Sequence, residues 1–175
     1  MATARSLLGV QHGDKANADG GPVSEPKLTR EGNLRFAGLS QVGYPLDPET
    51  LISEVHKRLA VTPARAHGAS LLWFSLPPEA GPPDRWDCQA GTAVVGLPGA
   101  GAGLLVEDYR NLLALSLPHA GPVRELSITW RRLIEHARRL SLGTVRPYWR
   151  LALRRRRMPD GNPLPLSELA VFLDR

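Results

Sequence analysis

Apolar and polar positions follow one another in the same order twice along this chain. The run Leu34–Gln41 reads as a strand, and Asp47-Pro48-Glu49 then supplies an N-cap, a proline at the first helical position and an early acid. Leu51, Ile52, Val55 and Leu59 recur at helical spacing while Glu54, Lys57 and Arg58 face away, which predicts an amphipathic helix over 48–60. Ser70–Leu76 is a second strand and Pro77–Pro83 a loop. Trp86–Leu97 is a third strand, whose Gly91 marks a bulge or a close approach to the backbone. Beyond the Pro98–Gly103 link, Leu112–Leu117 is strand-like and His119-Ala120-Gly121-Pro122 makes a turn. Val123, Leu126, Trp130, Leu133, Ala137 and Leu140 then step along a longer helix that ends near Gly143, with Trp130 in the middle of its apolar stripe. A strand at Tyr148–Arg156, a turn at Met158–Pro165 and a strand at Leu166–Leu173 complete the chain.

The order is strand-helix-strand-strand, twice, in repeats of about 34–97 and 104–174. Neither half can bury its own apolar faces, so the two are expected to pack together as one α+β domain with pseudo-twofold symmetry. Trp73 and Trp149 occupy matching places in the two units, as a duplication would leave them. Residues 1–30 hold few periodic apolar positions and read as a flexible tail.

Composition narrows the chemistry. With 175 residues, 42% hydrophobic and 22% charged, the chain suits one globular domain, and its 17 glycines and 16 prolines make loops plentiful. The single Cys88 excludes an internal disulfide and a cysteine-based zinc site. A free cysteine in a strand reads as a small buried hydrophobe. No apolar run is long enough to span a membrane, and a cytoplasmic location is expected. His12, His56, His67, His119 and His136 lack the i, i+4 spacing of a helical metal pair, and there is no G-x-S-x-G element. His119 is expected to serve turn geometry and hydrogen bonding. The net charge of +5 is uneven, since positions 124–157 hold 11 of the 22 basic residues against only Glu125 and Glu135. On a strand Arg154, Arg155, Arg156 and Arg157 point to alternate sides, and no helix-turn-helix or aromatic ribonucleoprotein motif is present. The basic block therefore reads as solvated surface, with no nucleic acid expected as a partner.

His119-Ala120-Gly121-Pro122 with Leu126, Trp130 and Leu133 resembles the H-x-G-P turn and W-x-x-L helix of the gyrase-inhibitor-like (GyrI-like) family, which is similar to effector-binding domains of AraC-type and MerR-type regulators. Asp87-Cys88-Gln89-Ala90-Gly91 with Val94, and Ser167-Glu168-Leu169-Ala170-Val171, are also similar to it, so that the resemblance covers roughly 34–175. It implies two small antiparallel sheets forming a groove for bulky, often aromatic molecules, without a cofactor. The setting implied is bacterial, in drug resistance, drug sensing or transcription regulation. Other members inhibit DNA gyrase or hydrolyse cyclopropane-bearing toxins. Many carry a glutamate at the centre of the strand that here reads Tyr148-Trp149-Arg150, where this chain has Arg150, or Leu151 if the register slips by one. A guanidinium offers donors only, so a groove-facing Arg150 would select an anionic or carbonyl-bearing ligand.

The expected groove residues are Phe74, Trp86, Tyr109, Tyr148, Trp149, Arg150 and Glu168. Strand alternation adds a condition: if Trp149 and Leu151 face the helices, then Tyr148, Arg150 and Ala152 face the groove. The leading expectation is a domain that binds or sequesters a hydrophobic or aromatic small molecule. A regulator or gyrase could be a protein partner, and no membrane is involved. The alternatives are a toxin hydrolase with Glu168 as base, and a gyrase inhibitor acting through the basic surface.

Overall fold

The computed structural model describes residues 24–157 and 163–174, the side chains of 154–166 excepted. The strands are β1 (Lys27–Val42), β2 (Arg65–Phe74), β3 (Asp87–Val95), β4 (Leu105–His119), β5 (Thr144–Arg157) and β6 (Pro163–Asp174), and the helices are α1 (Pro48–Ala60) and α2 (Leu126–Arg139). The fold is thus α+β, with strand-helix-strand-strand repeated. Each repeat folds its strands into an antiparallel three-stranded sheet, β1-β3-β2 and β4-β6-β5. The sheets also pair with each other, β1 with β4 and β2 with β5, again antiparallel. Two such junctions close the strands into a barrel in the order β1-β3-β2-β5-β6-β4, so the groove between the sheets is the inside of that barrel.

Helix α1 forms where its periodicity places it, whereas α2 is shorter at both ends than the expected run from Val123 to near Gly143. Asp47 caps α1, its Oδ1 accepting from the backbone N–H groups of Glu49 and Thr50, and Ile52, Val55 and Leu59 are buried. In α2 the buried face is Leu126, Thr129, Leu133, Ile134 and Ala137. Trp130 is half-buried at the edge of that face rather than at its centre, and Leu140 lies beyond the helix end and is exposed. The strands run longer than their apolar cores. β1 begins at Lys27 rather than Leu34, within the expected tail, and β4 begins at Leu105, so that Asp108 and Tyr109 lie inside the strand rather than before it. Pairing of β1 with β4 orders this polar end, including the Arg35–Asp108 ion pair at 2.7 Å. Residues 1–23 and 158–162, which hold most of the expected tail and of the last turn, lie outside the described residues.

Gly91 answers to a close approach, and the group approaching is the chain's own. It pairs with Gly38, and a Cβ added to Gly91 would sit 2.1 Å from the Ala37 carbonyl oxygen and 2.8 Å from Phe36 Cζ. One added to Gly38 would sit 2.6 Å from the same Cζ. The Phe36 ring therefore lies over a paired glycine step and fills the space that two side chains would have occupied. His119 fastens the end of β4 to α2 through Nδ1 and Thr129 Oγ1, 2.9 Å apart, and burial pushes its imidazole below the ordinary value of 6.5.

Gly91→Ala should lower the free energy of urea unfolding by roughly 1–3 kcal/mol, whereas Gly81→Ala, whose Cβ meets nothing within 4 Å, should leave it unchanged. Because the buried His119 takes its proton less readily than the unfolded chain does, stability should fall as pH drops below 6.5. Melting curves from about pH 7.5 to about pH 5.5 should show a shallower decline in His119→Gln than in the parent protein, and identical slopes would exclude this linkage.

Candidate functional site

Strand alternation divides the aromatic residues into two clusters. On β2, Leu72 and Phe74 face the helices while Leu71 and Trp73 face the barrel interior. On β5, Trp149 and Leu151 face the helices, and the condition read from the sequence then applies: Tyr148, Arg150 and Ala152 face inward. Trp73 and Trp149 consequently point to opposite sides of the wall, and the β5 residue paired with Trp73 is Arg150.

The helix-side cluster contains Phe74, Trp86 and Trp149. Phe74 stacks on Trp149 at 4.2 Å, and Trp86 meets both rings edge-on at 5.6 Å. All three are at most 3% exposed, and the indole nitrogens of Trp86 and Trp149 donate to the carbonyls of Gly81 and Leu76. These three expected groove residues are core. The run Leu71-Leu72-Trp73-Phe74 is apolar at every position, so its parity is set by the helices that cover one side. Cys88 belongs to the same cluster, and burial pushes its thiol up to about 12, leaving it neutral and inert.

The interior cluster is built around Trp73. Tyr109 stacks on it at 4.1 Å and 3°, and Phe172 stacks at 5.0 Å and 17°. Phe36 meets it edge-on, and Tyr148 lies tilted against Trp73, Tyr109 and Phe172 at 5.4–5.7 Å. Phe36, Trp73 and Phe172 are buried; Tyr109 and Tyr148 are only partly so, and mark the mouth. Glu168 alternates with Ala170 and Phe172 on the interior face of β6, paired across to Ala152 and Pro118.

Arg150 is 6% exposed, and its guanidinium carbon sits 5.6 Å from the Trp73 ring and 5.4 Å from the Phe172 ring. Its charge is met by Glu31, whose two carboxylate oxygens accept from Nη1 and Nη2 at 2.6 Å each. This corrects the expectation that Arg150 would stand ready for an anionic ligand. Glu31 comes from the part of β1 that precedes the strand expected from Leu34. A second carboxylate, Glu107, accepts from the Tyr109 hydroxyl and from Gln89 Nε2 at 2.9 Å, and has no cationic partner among the described residues. Burial and Glu107 together hold the Tyr109 phenol well above its ordinary value, so it stays a hydrogen-bond donor. Three polar atoms of this face are buried without partners among the described residues: Trp73 Nε1, Arg150 Nε and Gln89 Oε1. Trp73 is paired with both Gln89 and Arg150, so the three occupy one lateral row across β3, β2 and β5. Trp73, Glu31, Glu107 and Gln89 were not among the expected site residues. Glu31 and Glu107 sit in polar stretches without a motif, Gln89 lies in the Asp87–Gly91 stretch quoted for the family resemblance, and only the inward parity of β2 would have singled out Trp73.

Among the described residues no group of three or more His, Cys, Asp or Glu side chains could hold a metal, and no helix is long and apolar enough to cross a membrane. Arg124, Arg131, Arg138 and Arg139 are exposed on or beside α2, with Arg131 paired to Glu79. The side chains of Arg154–Arg157 lie outside those described.

No family model matches the sequence, and no curated protein matches it. Solved structures do match the fold. The EcmrR C-terminal domain is 13% identical with a TM-score of 0.66, over 86% of this chain and 98% of that one. A hydrolase encoded by lin2189 from Listeria innocua is 10% identical with a TM-score of 0.55, over 85% and 90% of the two chains. A further hydrolase structure from Listeria innocua is 12% identical with a TM-score of 0.54, over 87% and 92%. At such identities the likeness is one of fold: this chain has the α+β architecture of the EcmrR C-terminal domain over nearly the whole of that domain's length.

Proposed function

We propose that this chain is a small-molecule-binding domain that takes a planar aromatic cation into the barrel interior. The observation that carries this reading is the pairing of a flat-faced aromatic stack with an uncompensated carboxylate. Glu31 is neutralised by Arg150, whereas Glu107 is held only by neutral donors, so the described interior has an excess of negative charge. A cation entering at the mouth would take the place of Tyr109 on the Trp73 face and meet Glu107 beside it. Cation–π attraction and stacking act on the same ligand surface. The buried Trp73 Nε1, Arg150 Nε and Gln89 Oε1 would give such a ligand two donors and an acceptor to satisfy. The sequence resemblance to regulator effector-binding domains and the fold likeness to the EcmrR C-terminal domain support the same reading. Sensing or sequestration of a toxic aromatic compound inside a bacterial cell is the role we assign to it.

A hydrolase is the second reading, favoured by the contact between the Tyr109 hydroxyl and Glu107 inside an aromatic enclosure. A carboxylate so placed could take a proton from water attacking a strained ring. It makes Glu107 rather than Glu168 the base to test.

The first reading is tested with three ring systems of one shape, 9-aminoacridinium, acridine and acridine-9-carboxylate, followed by tryptophan quenching and calorimetry. Affinity should fall in that order; Glu107→Gln should weaken the cation about tenfold while leaving neutral acridine unchanged, and Trp73→Leu should weaken all three. Failure of every compound to bind would overturn the reading. For the hydrolase, incubation with a cyclopropane-bearing electrophile should yield a ring-opened, hydrated product in the parent protein and in Glu168→Gln but not in Glu107→Gln.

A further inference from the structure

The barrel wall is irregular around one recess. β1 shifts register against β4 on both sides of Gly32, and β5 shifts against β6 between Val145 and Trp149. Gly32 and Asn111, on facing strands, both adopt positive φ, and a Cβ added to Gly32 would meet nothing within 4 Å. These departures leave a recess of about 290 Å³. Its apolar lining is Leu113 and Leu173, which belong to the helix-side cluster, so it is distinct from the aromatic interior.

The polar lining among the described residues is Arg30, Asn111, Arg146 and Asp174. Arg30 is exposed and has no hydrogen bond or ion pair among the described residues. Arg146 is held rigidly instead. Its Nε donates to Asp174 Oδ1 at 2.6 Å, and its Nη1 donates to the Tyr148 hydroxyl at 2.7 Å and to the Arg110 carbonyl at 3.3 Å. Nη2 makes no hydrogen bond among the described residues. Among the described residues the recess thus presents two guanidinium groups against one carboxylate, with one fork already oriented and one donor unused.

That balance selects a ligand class. One negative charge neutralises the excess, while a dianion would carry more charge than the site can match and would give the leucines nothing to cover. We propose that this recess binds a small organic monocarboxylate, its carboxylate held by Arg30 and by Nη2 of Arg146 and its hydrocarbon part lying on Leu113 and Leu173. The volume suits a compound the size of benzoate and is below that of pockets for drug-sized molecules.

Benzoate, its neutral isostere benzamide and inorganic phosphate are titrated separately into the ¹⁵N-labelled full chain, following the amide signals of Gly32, Asn111 and Asp174. Benzoate should shift these signals in a saturable way and bind at least tenfold more tightly than benzamide. Arg30→Gln, which removes no internal contact, should keep the parent melting temperature and weaken benzoate about tenfold. Arg146→Lys keeps the charge but loses the oriented fork, and should weaken benzoate as well. Equal affinity for benzoate and benzamide, a response to phosphate alone, no saturable shift, or unchanged benzoate binding in Arg30→Gln would each overturn the proposal.

Discussion

A guanidinium enclosed by indole and phenyl rings keeps its charge, so its burial is costly unless a carboxylate meets it, and the interior of this barrel is organised around that requirement. Arg150 lies between Trp73 and Phe172, and Glu31 meets it with two parallel hydrogen bonds. The carboxylate reaches it from the far end of β1. β1 therefore has to extend back to Lys27 and pair with β4, and that pairing is one of the two junctions that close the barrel. The other junction, β2 with β5, places Trp73 directly opposite Arg150. Closure, burial of the charge and assembly of the aromatic stack are consequences of one arrangement.

The same arrangement separates two aromatic clusters. Phe74, Trp86 and Trp149 form a cluster on the helix side whose indole N–H groups are satisfied by loop carbonyls, as suits a permanent core. Trp73, Tyr109, Tyr148 and Phe172 stack with parallel or tilted faces on the inner side, and Trp73 Nε1 has no partner there among the described residues. Aromatic residues of similar sequence context thus differ in surroundings because adjacent strand positions face opposite sides of one wall. Glu107, bonded among the described residues by Tyr109 and Gln89, gives the inner side its electrostatic character; the recess among Arg30, Arg146 and Asp174 has the opposite one.

Much of the architecture was legible in the residues. The boundaries of α1 coincide with the cap at Asp47 and the last apolar position at Leu59, because capping and periodicity act within a few residues. The doubled strand-helix-strand-strand order could be read for the same reason. Which of the expected groove residues face inward was legible only in part. Tyr109, Tyr148, Arg150 and Glu168 do lie on the inner face, whereas Phe74, Trp86 and Trp149 do not. Glu31 and Glu107 carried no signal, since each sits in a polar stretch whose strand conformation is imposed by its neighbour.

The sequence by itself determined the elements, their repetition, and the conditional statement that Tyr148, Arg150 and Ala152 must share a face. These follow from short-range chemistry and from the twofold period of a strand. Only the tertiary structure decided which face that is, which carboxylate neutralises Arg150, and that the two sheets close on each other. Each of those depends on pairing between strands far apart in the chain, as with Arg150 and Glu31, and no local pattern of apolar and polar residues encodes which partner a strand edge will meet.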